Sequence, residues 1–283
     1  MKKGFYFGMA LALAAVLSCV RENKRPDARQ EIRFTASVEG DTKATATAFE
    51  NGDKVTLCAG SPVNEVNVTL SCNGTALVPE RPLYWPADMT GNIPVVFRAV
   101  FPSVEDATSA CRITLPADQY NHPGENDHLG ASVSAYPAED VVNLRFTHLM
   151  SRLKIVVEDK VGTFQDTQAD HFKCLKVGSV YTSYTLDYPK LEVTADLNVE
   201  PGVLFPAKLA SNTYSLILPP QSSSPEITVT LSDQTVIFTA PQPISFPKGK
   251  QVSAKLTIEK EAVTFSTFIG DDPEAFSVTR MDW

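Results

Sequence analysis

Two histidines and two acids crowd the segment NHPGENDH, where His122 and His128 flank Glu125 and Asp127. Imidazole nitrogens and carboxylate oxygens at that spacing have the chemistry to hold a divalent cation. The Pro123-Gly124 pair in the same run is turn chemistry, and a solvated loop explains the same letters. His148, in FTHLMSRL, falls between two strand signals, where an imidazole satisfies a local hydrogen bond rather than catalysing. The paired carboxylates Glu139-Asp140 and Asp271-Asp272 sit in turn-like runs, whereas a glycosidase needs two acids fixed across a cleft. There is no Gly-rich phosphate loop, no G-x-S-x-G elbow and no H-E-x-x-H. Cys58, Cys72, Cys111 and Cys174 match no zinc spacing, and four thiols admit three disulfide pairings. The side chains therefore predict no catalytic residue, no metal site and no cofactor.

Other segments carry more information. The chain opens MKKGFYFGMALALAAVLSCVREN, with Lys2 and Lys3 ahead of an apolar run from Phe5 to Leu17. A spanning helix needs about 20 apolar residues and a signal h-region about 7–15, so this run is of the second kind. An ordinary secretory site would end in an Ala-x-Ala pattern. Here the run ends Val16-Leu17-Ser18-Cys19, which resembles the lipobox of bacterial lipoproteins. That resemblance implies a signal peptide over 1–18 and acylation of Cys19. Several acyl chains, at about 0.8 kcal/mol per buried methylene, would hold a soluble domain on a bilayer. Residues 19–30, containing RENKRPDAR, read as a charged tether.

About 265 residues remain after the signal, enough for one large domain or two ordinary ones. A net charge of −8 disfavours nucleic acid as a partner. Twenty prolines against fourteen glycines, with abundant Thr, Ser and Val, favour strands and loops over helices. In EIRFTASVE, Ile32, Phe34, Ala36 and Val38 alternate with Arg33, Thr35, Ser37 and Glu39, a period-two amphipathic strand. Strand signals recur at Lys54–Ala59, Glu65–Ser71, Pro94–Val100, Arg112–Leu115 and Val141–Thr147, separated by turn residues. From Leu153 they restart with LKIVVE, LKVGSVYTSYTL, LEVTADL, YSLILP, EITVTL, TVIFTA, SAKLTI and AVTFSTFI, and only 165–172 offers a turn or two of helix. The pattern predicts an all-β protein of two β-sandwiches joined near Thr147–Arg152, one over 31–147 and one over 148–283.

FENGDKVTLCAG, YWP, VVFRAVFPS, NDHLGASVSA and VVNLRFTHLMSRLKIVVE occur in an order that resembles the fimbrillin-like proteins of Bacteroidetes, the subunits and accessory proteins of type V pili. YSLILPPQ, ITVTLSDQTVIFTAP, FPKGKQVSAKLTI and the final Trp283 extend the likeness over nearly the whole chain. The resemblance implies two transthyretin-like Greek-key β-sandwiches in tandem and export as an outer-membrane lipoprotein of the cell surface. It also implies assembly with other pilin subunits by strand exchange, after a trypsin-like protease trims the N-terminus. In relatives the cut follows a basic residue, usually Arg, shortly after the first strand. The matching place here is Thr42-Lys43-Ala44, so Lys43 and Ala44 flank the expected cut, with lysine as a departure. The strand then removed carries Ile32, Phe34, Ala36 and Val38. A donor tail is expected from AVTFSTFIG and AFSVTRMDW, through Val263, Phe265 and Ile269 and through Phe276 and Val278, unless these are simply the last strands of the second sandwich. A surface receptor on a host or another bacterium is an expected partner of an adhesive subunit.

The competing expectation is a surface lipoprotein that binds glycans through a β-sandwich and does not polymerise. Trp85, Tyr181, Tyr184 and Tyr188 are its candidate stacking rings, although Tyr84-Trp85 before Pro86 also suits a core plug. A hydrolase is the third alternative and lacks any recognisable constellation.

Overall fold

A strand that alternates apolar and polar residues has one greasy face, and that face must be covered. The computed structural model describes residues 29–39, 49–87, 89, 93–121, 124–164, 174–231, 235–240 and 242–259, and the backbone course of 263–269 and 272–278. Among these residues every element is a strand, so the protein is all-β. The turn of helix expected over 165–172 lies outside the described residues.

The first unit comprises β1 (Arg33–Val38), β2 (Lys54–Ala59), β3 (Glu65–Asn73), β4 (Ala76–Pro79), β5 (Val95–Phe101), β7 (Leu129–Ala135) and β8 (Val141–His148). They are hydrogen-bonded in a closed ring of order β1-β4-β3-β2-β5-β7-β8, with β8 returning to β1. Alternation sets what faces inward. On β8, Val142, Leu144 and Phe146 are buried while Asn143 and Arg145 are exposed. These residues meet Phe34, Leu57, Leu70, Leu77, Trp85 and Phe97 in one core.

Between β5 and β7 the chain leaves this ring. β6 (Ala110–Thr114) pairs antiparallel with β11 (Ser183–Asp187), and β11 pairs in turn with β12 (Glu192–Ala195). Ala107, Leu115 and Tyr120 are buried in the second core, not the first. Segment 107–120 thus departs from a division at 147: by chain order it lies in the first half, by burial it belongs to the second unit. The physical reason is that the first ring is already closed by its own strands, so this arm covers its apolar residues elsewhere. Gln119 fastens it. Its side chain is 2 % exposed, its Nε2 donates to Ile217 O at 3.1 Å, and its Oε1 accepts from Ile217 N at 2.9 Å.

The second unit begins at β9 (Ser151–Asp159). One sheet runs β13 (Gly202–Leu204), β10 (Leu175–Val180), β17 (Glu226–Thr230), β18 (Thr235–Thr239). The other runs β14 (Ala207–Ala210), β15 (Thr213–Leu218), β9, β20 (Gln251–Ile258), β21 (Val263–Ile269), β22 (Asp272–Val278). A short pair, β16 (Gln221–Ser223) with β19 (Ile244–Phe246), completes it. Leu153, Ile155, Val177, Tyr214, Leu216, Ile227, Phe238 and Leu256 fill the space between. Cys58, Cys72, Cys111 and Cys174 are all free thiols, so none of the three pairings is made.

Candidate functional site

The position of β1 in the first ring is the most informative geometry in the molecule. Ile32 is 1 % exposed and Phe34 2 %, while Ala36 and Val38 are half-buried against the same core. The Phe34 ring meets Phe97 edge-on at 5.5 Å, and Phe97 meets Trp85 in the same manner at 5.8 Å.

The two flanks of β1 are held unequally. Along β8 it is paired in parallel without interruption, from Arg33↔Val141 to Val38↔Phe146. Along β4 the antiparallel register covers only Phe34↔Leu77 and Thr35↔Ala76. Isolated bonds supplement it: Ala36 N donates to Thr75 O at 2.9 Å, Ile32 N to Leu83 O at 2.8 Å, and Trp85 N to Gln30 O at 2.9 Å. Pro79 and Pro82 lie on that flank and have no N–H to give, which interrupts the ladder.

The second unit contains a counterpart. β9 likewise has an antiparallel neighbour on one side, β15, and a late parallel strand on the other, β20. It is laced continuously on both, from Thr213↔Val156 to Leu218↔Ser151 and from Gln251↔Arg152 to Ile258↔Asp159. β1 therefore occupies the same topological place as β9 with one flank only loosely closed.

After Glu39, whose N–H donates to Phe146 O at 2.8 Å, the next described residue is Phe49, packed on Phe146 at 4.9 Å and on Phe101 at 5.2 Å. Lys43 and Ala44 fall between these two anchors and outside the described residues, as does Cys19. Of the expected donor positions, Val263, Phe265 and Ile269 lie in β21, paired antiparallel with β20 from Val252↔Ile269 to Ile258↔Val263. Phe276 and Val278 lie in β22, outermost in that sheet.

The histidine-rich segment turns its groups to different partners. His128 Nε2 is 2.8 Å from the Tyr184 hydroxyl, and His148 Nδ1 is 2.7 Å from Asp127 Oδ2. His122 is outside the described residues, among which no group of three or more His, Cys, Asp or Glu could hold a metal ion. Burial pushes the His128 imidazole below its ordinary range, with Asp127 opposing more weakly. The folded chain therefore binds fewer protons here than the unfolded one, and stability falls as pH drops below about 6.5. Urea titrations of wild type and His128→Gln between pH 7.5 and 5.5 should show a shallower decline for the variant. Parallel declines would remove His128 as the cause.

The candidate sugar-stacking rings are mostly core. Trp85 is 2 % exposed, Tyr184 1 % and Tyr188 5 %, and only Tyr181 is half-buried. A platform built on these four rings is therefore not available, because their faces are spent on packing. Sequence reasoning passed over Gln119, whose ADQYN context reads as loop and gives no signal of burial.

Residues 42–271 match a family model described as fimbrillin-like. Among solved structures, the chain is similar to a proposed cell adhesion protein from Bacteroides uniformis, with 18% identity, 87% of this chain and 99% of that one covered, and a TM-score of 0.68. One from Bacteroides ovatus gives 16% identity, 90% and 98% coverage and a TM-score of 0.68. The tip fimbrial protein Mfa3 from Porphyromonas gingivalis, with a C-terminal truncation, gives 9% identity, 79% and 95% coverage and a TM-score of 0.51. At these identities what is shared is the fold. No protein of curated function matches the chain.

Proposed function

Because the chain belongs to the fimbrillin-like family, we propose that it is a structural or adhesive subunit of a type V pilus, exported as a lipoprotein through Cys19 and assembled by proteolysis-triggered strand exchange. The observation that carries this is β1: an amphipathic strand buried at Ile32 and Phe34, continuously laced to β8 alone, and followed closely in sequence by Lys43-Ala44. Once the chain is cut after Lys43, no covalent bond holds β1 to the rest of the fold. Its departure would leave open flanks on β4 and β8 beside an uncovered core, the kind of edge that captures another strand.

The tail supplies a matching sequence. Ile32, Phe34, Ala36 and Val38 run β-branched, Phe, small, β-branched; Val263, Phe265, Thr267 and Ile269 repeat that order in the same chain direction. A β21 segment from a sibling subunit would fill the place of β1 in its own polarity, parallel to β8. β22 follows as an extension.

The test is processing of the full-length exported chain. Trypsin-like protease should produce a form beginning at Ala44 by N-terminal sequencing, together with ladders that resist SDS. Lys43→Ala should stay uncut and monomeric. Ladders forming unchanged from the Lys43→Ala chain would defeat the processing scheme.

A further inference from the structure

A cleft opens where the outer face of the first ring meets the second unit, and it lies apart from the β1 slot. Thr56 and Cys58 of β2, Arg98 and Val100 of β5, and Val66 of β3 form its floor and one rim. Ala107 and Thr108 of the crossing arm, with Tyr188 and Pro189 beyond β11, form the opposite wall. The enclosed space is about 130 Å³, smaller than the site of a drug-sized ligand and enough for an acid group with the atoms next to it.

Its electrostatics are one-sided. Arg98 is exposed, stands opposite Cys58 in the β2–β5 register, and has no ion-pair partner among the described residues. No carboxylate lines the cleft. Three acids adjoin lining residues in sequence, and each is occupied: Asp106 by Thr108 N at 2.8 Å, Thr108 Oγ1 at 2.5 Å and Ser109 Oγ at 2.8 Å, Glu65 by Arg81, and Asp187 by Lys190. Thr108 lines the cleft with its hydroxyl hydrogen given to Asp106. Val66, Val100, Ala107 and Pro189 supply aliphatic surface around this pair of polar groups.

We propose that this cleft is a carboxylate-binding subsite, with Arg98 clamping the acid and Val66, Val100, Ala107 and Pro189 covering the atoms next to it, while the rest of the ligand lies outside. A guanidinium presents a fork that fits a carboxylate in two parallel bonds, which a neutral ring cannot use. An acidic sugar at the end of a glycan and a free carboxylic acid share this chemistry, and their affinities tell them apart.

The experiment is calorimetric titration of the full chain with methyl glucuronide, methyl glucoside and acetate, paired with the rate of Cys58 alkylation. Glucuronide should saturate the site and slow alkylation, while glucoside at the same concentration does neither. Arg98→Gln should weaken glucuronide binding at least tenfold. Thr108→Glu, which adds an acid to the cleft lining and gives up the bond to Asp106, should abolish it in a chain that still unfolds cooperatively. Glucuronide binding more tightly than acetate assigns the site to acidic sugars; equal affinity assigns it to free acids. Glucoside binding as well as glucuronide, Arg98→Gln binding as wild type, or no saturation by either acid would overturn the proposal.

Discussion

A chain that begins at Ala44, lacking β1, should lose on the order of 5 kcal/mol of stability and should recapture a peptide of residues 29–39. The magnitude follows from what β1 buries. Ile32 and Phe34 are both nearly inaccessible, and full burial of such side chains contributes roughly 1.5–3 kcal/mol each. Ala36 and Val38 are half-buried and add less. The ladder to β8 adds a modest net amount, about 1 kcal/mol per bond at most, because water satisfies the same groups in the empty slot. Phe34 is the discriminating position, since its ring is the one that meets Phe97 beside Trp85. A peptide carrying Phe34→Asp should therefore fail to bind, and one carrying Ser37→Asp, an exposed position, should bind as the parent does. Urea unfolding gives the stability difference, and anisotropy of a labelled peptide gives the uptake. If the shortened chain is as stable as the full one and ignores the peptide, β1 is not the plug of a slot.

The second large effect is expected at Gln119. Its amide holds both backbone groups of Ile217 from the side, as a neighbouring strand would. Gln119→Ala leaves the N–H and C=O of Ile217 buried without that partner, which should cost about 2–4 kcal/mol. Gln119→Glu keeps the size but loses the donor and buries a charge, so it should be no better than alanine. Gln221, which brackets Tyr181 in the same manner with Tyr181 N to Oε1 at 2.8 Å and Nε2 to Tyr181 O at 3.0 Å, is only half-buried and should cost less on truncation. Equal midpoints for wild type and Gln119→Ala in urea would show that the arm does not need this clamp.

Strands whose alternation is strict were plain from the letters. Lys54–Ala59 reads as a strand and is one, and the buried Val142, Leu144 and Phe146 of β8 follow the period-two rule. β4 is too short for alternation to show, and β7, with Gly130, Ala131, Ser132 and Ser134, has too little apolar contrast. LKVGSVYTSYTL looks like one run, yet it is divided between β10 and β11, which enter different sheets. Ser179, at φ 57, and a bulge between Val177 and Val180 mark the irregularity just before that division, and Gly178 is its local signal. The destination of β6 was beyond reach for another reason. Its partner β11 is some seventy residues away, and ACRIT exposes Ala110, Arg112 and Thr114 and only half-buries Cys111 and Ile113, so a weak alternation marks a strand without naming its sheet. The candidate cleft inherits that difficulty, because Tyr188 and Pro189 reach its lining through this long-range pairing.

The parallel run of β1 against β8 also has a mechanical consequence. A pull along the strand axis, on whatever segment sits there, strains the rungs from Arg33↔Val141 to Val38↔Phe146 sideways and all at once. Peeling would break them one by one at low force; shear makes them share the load, so a joint of modest binding free energy can still withstand tension.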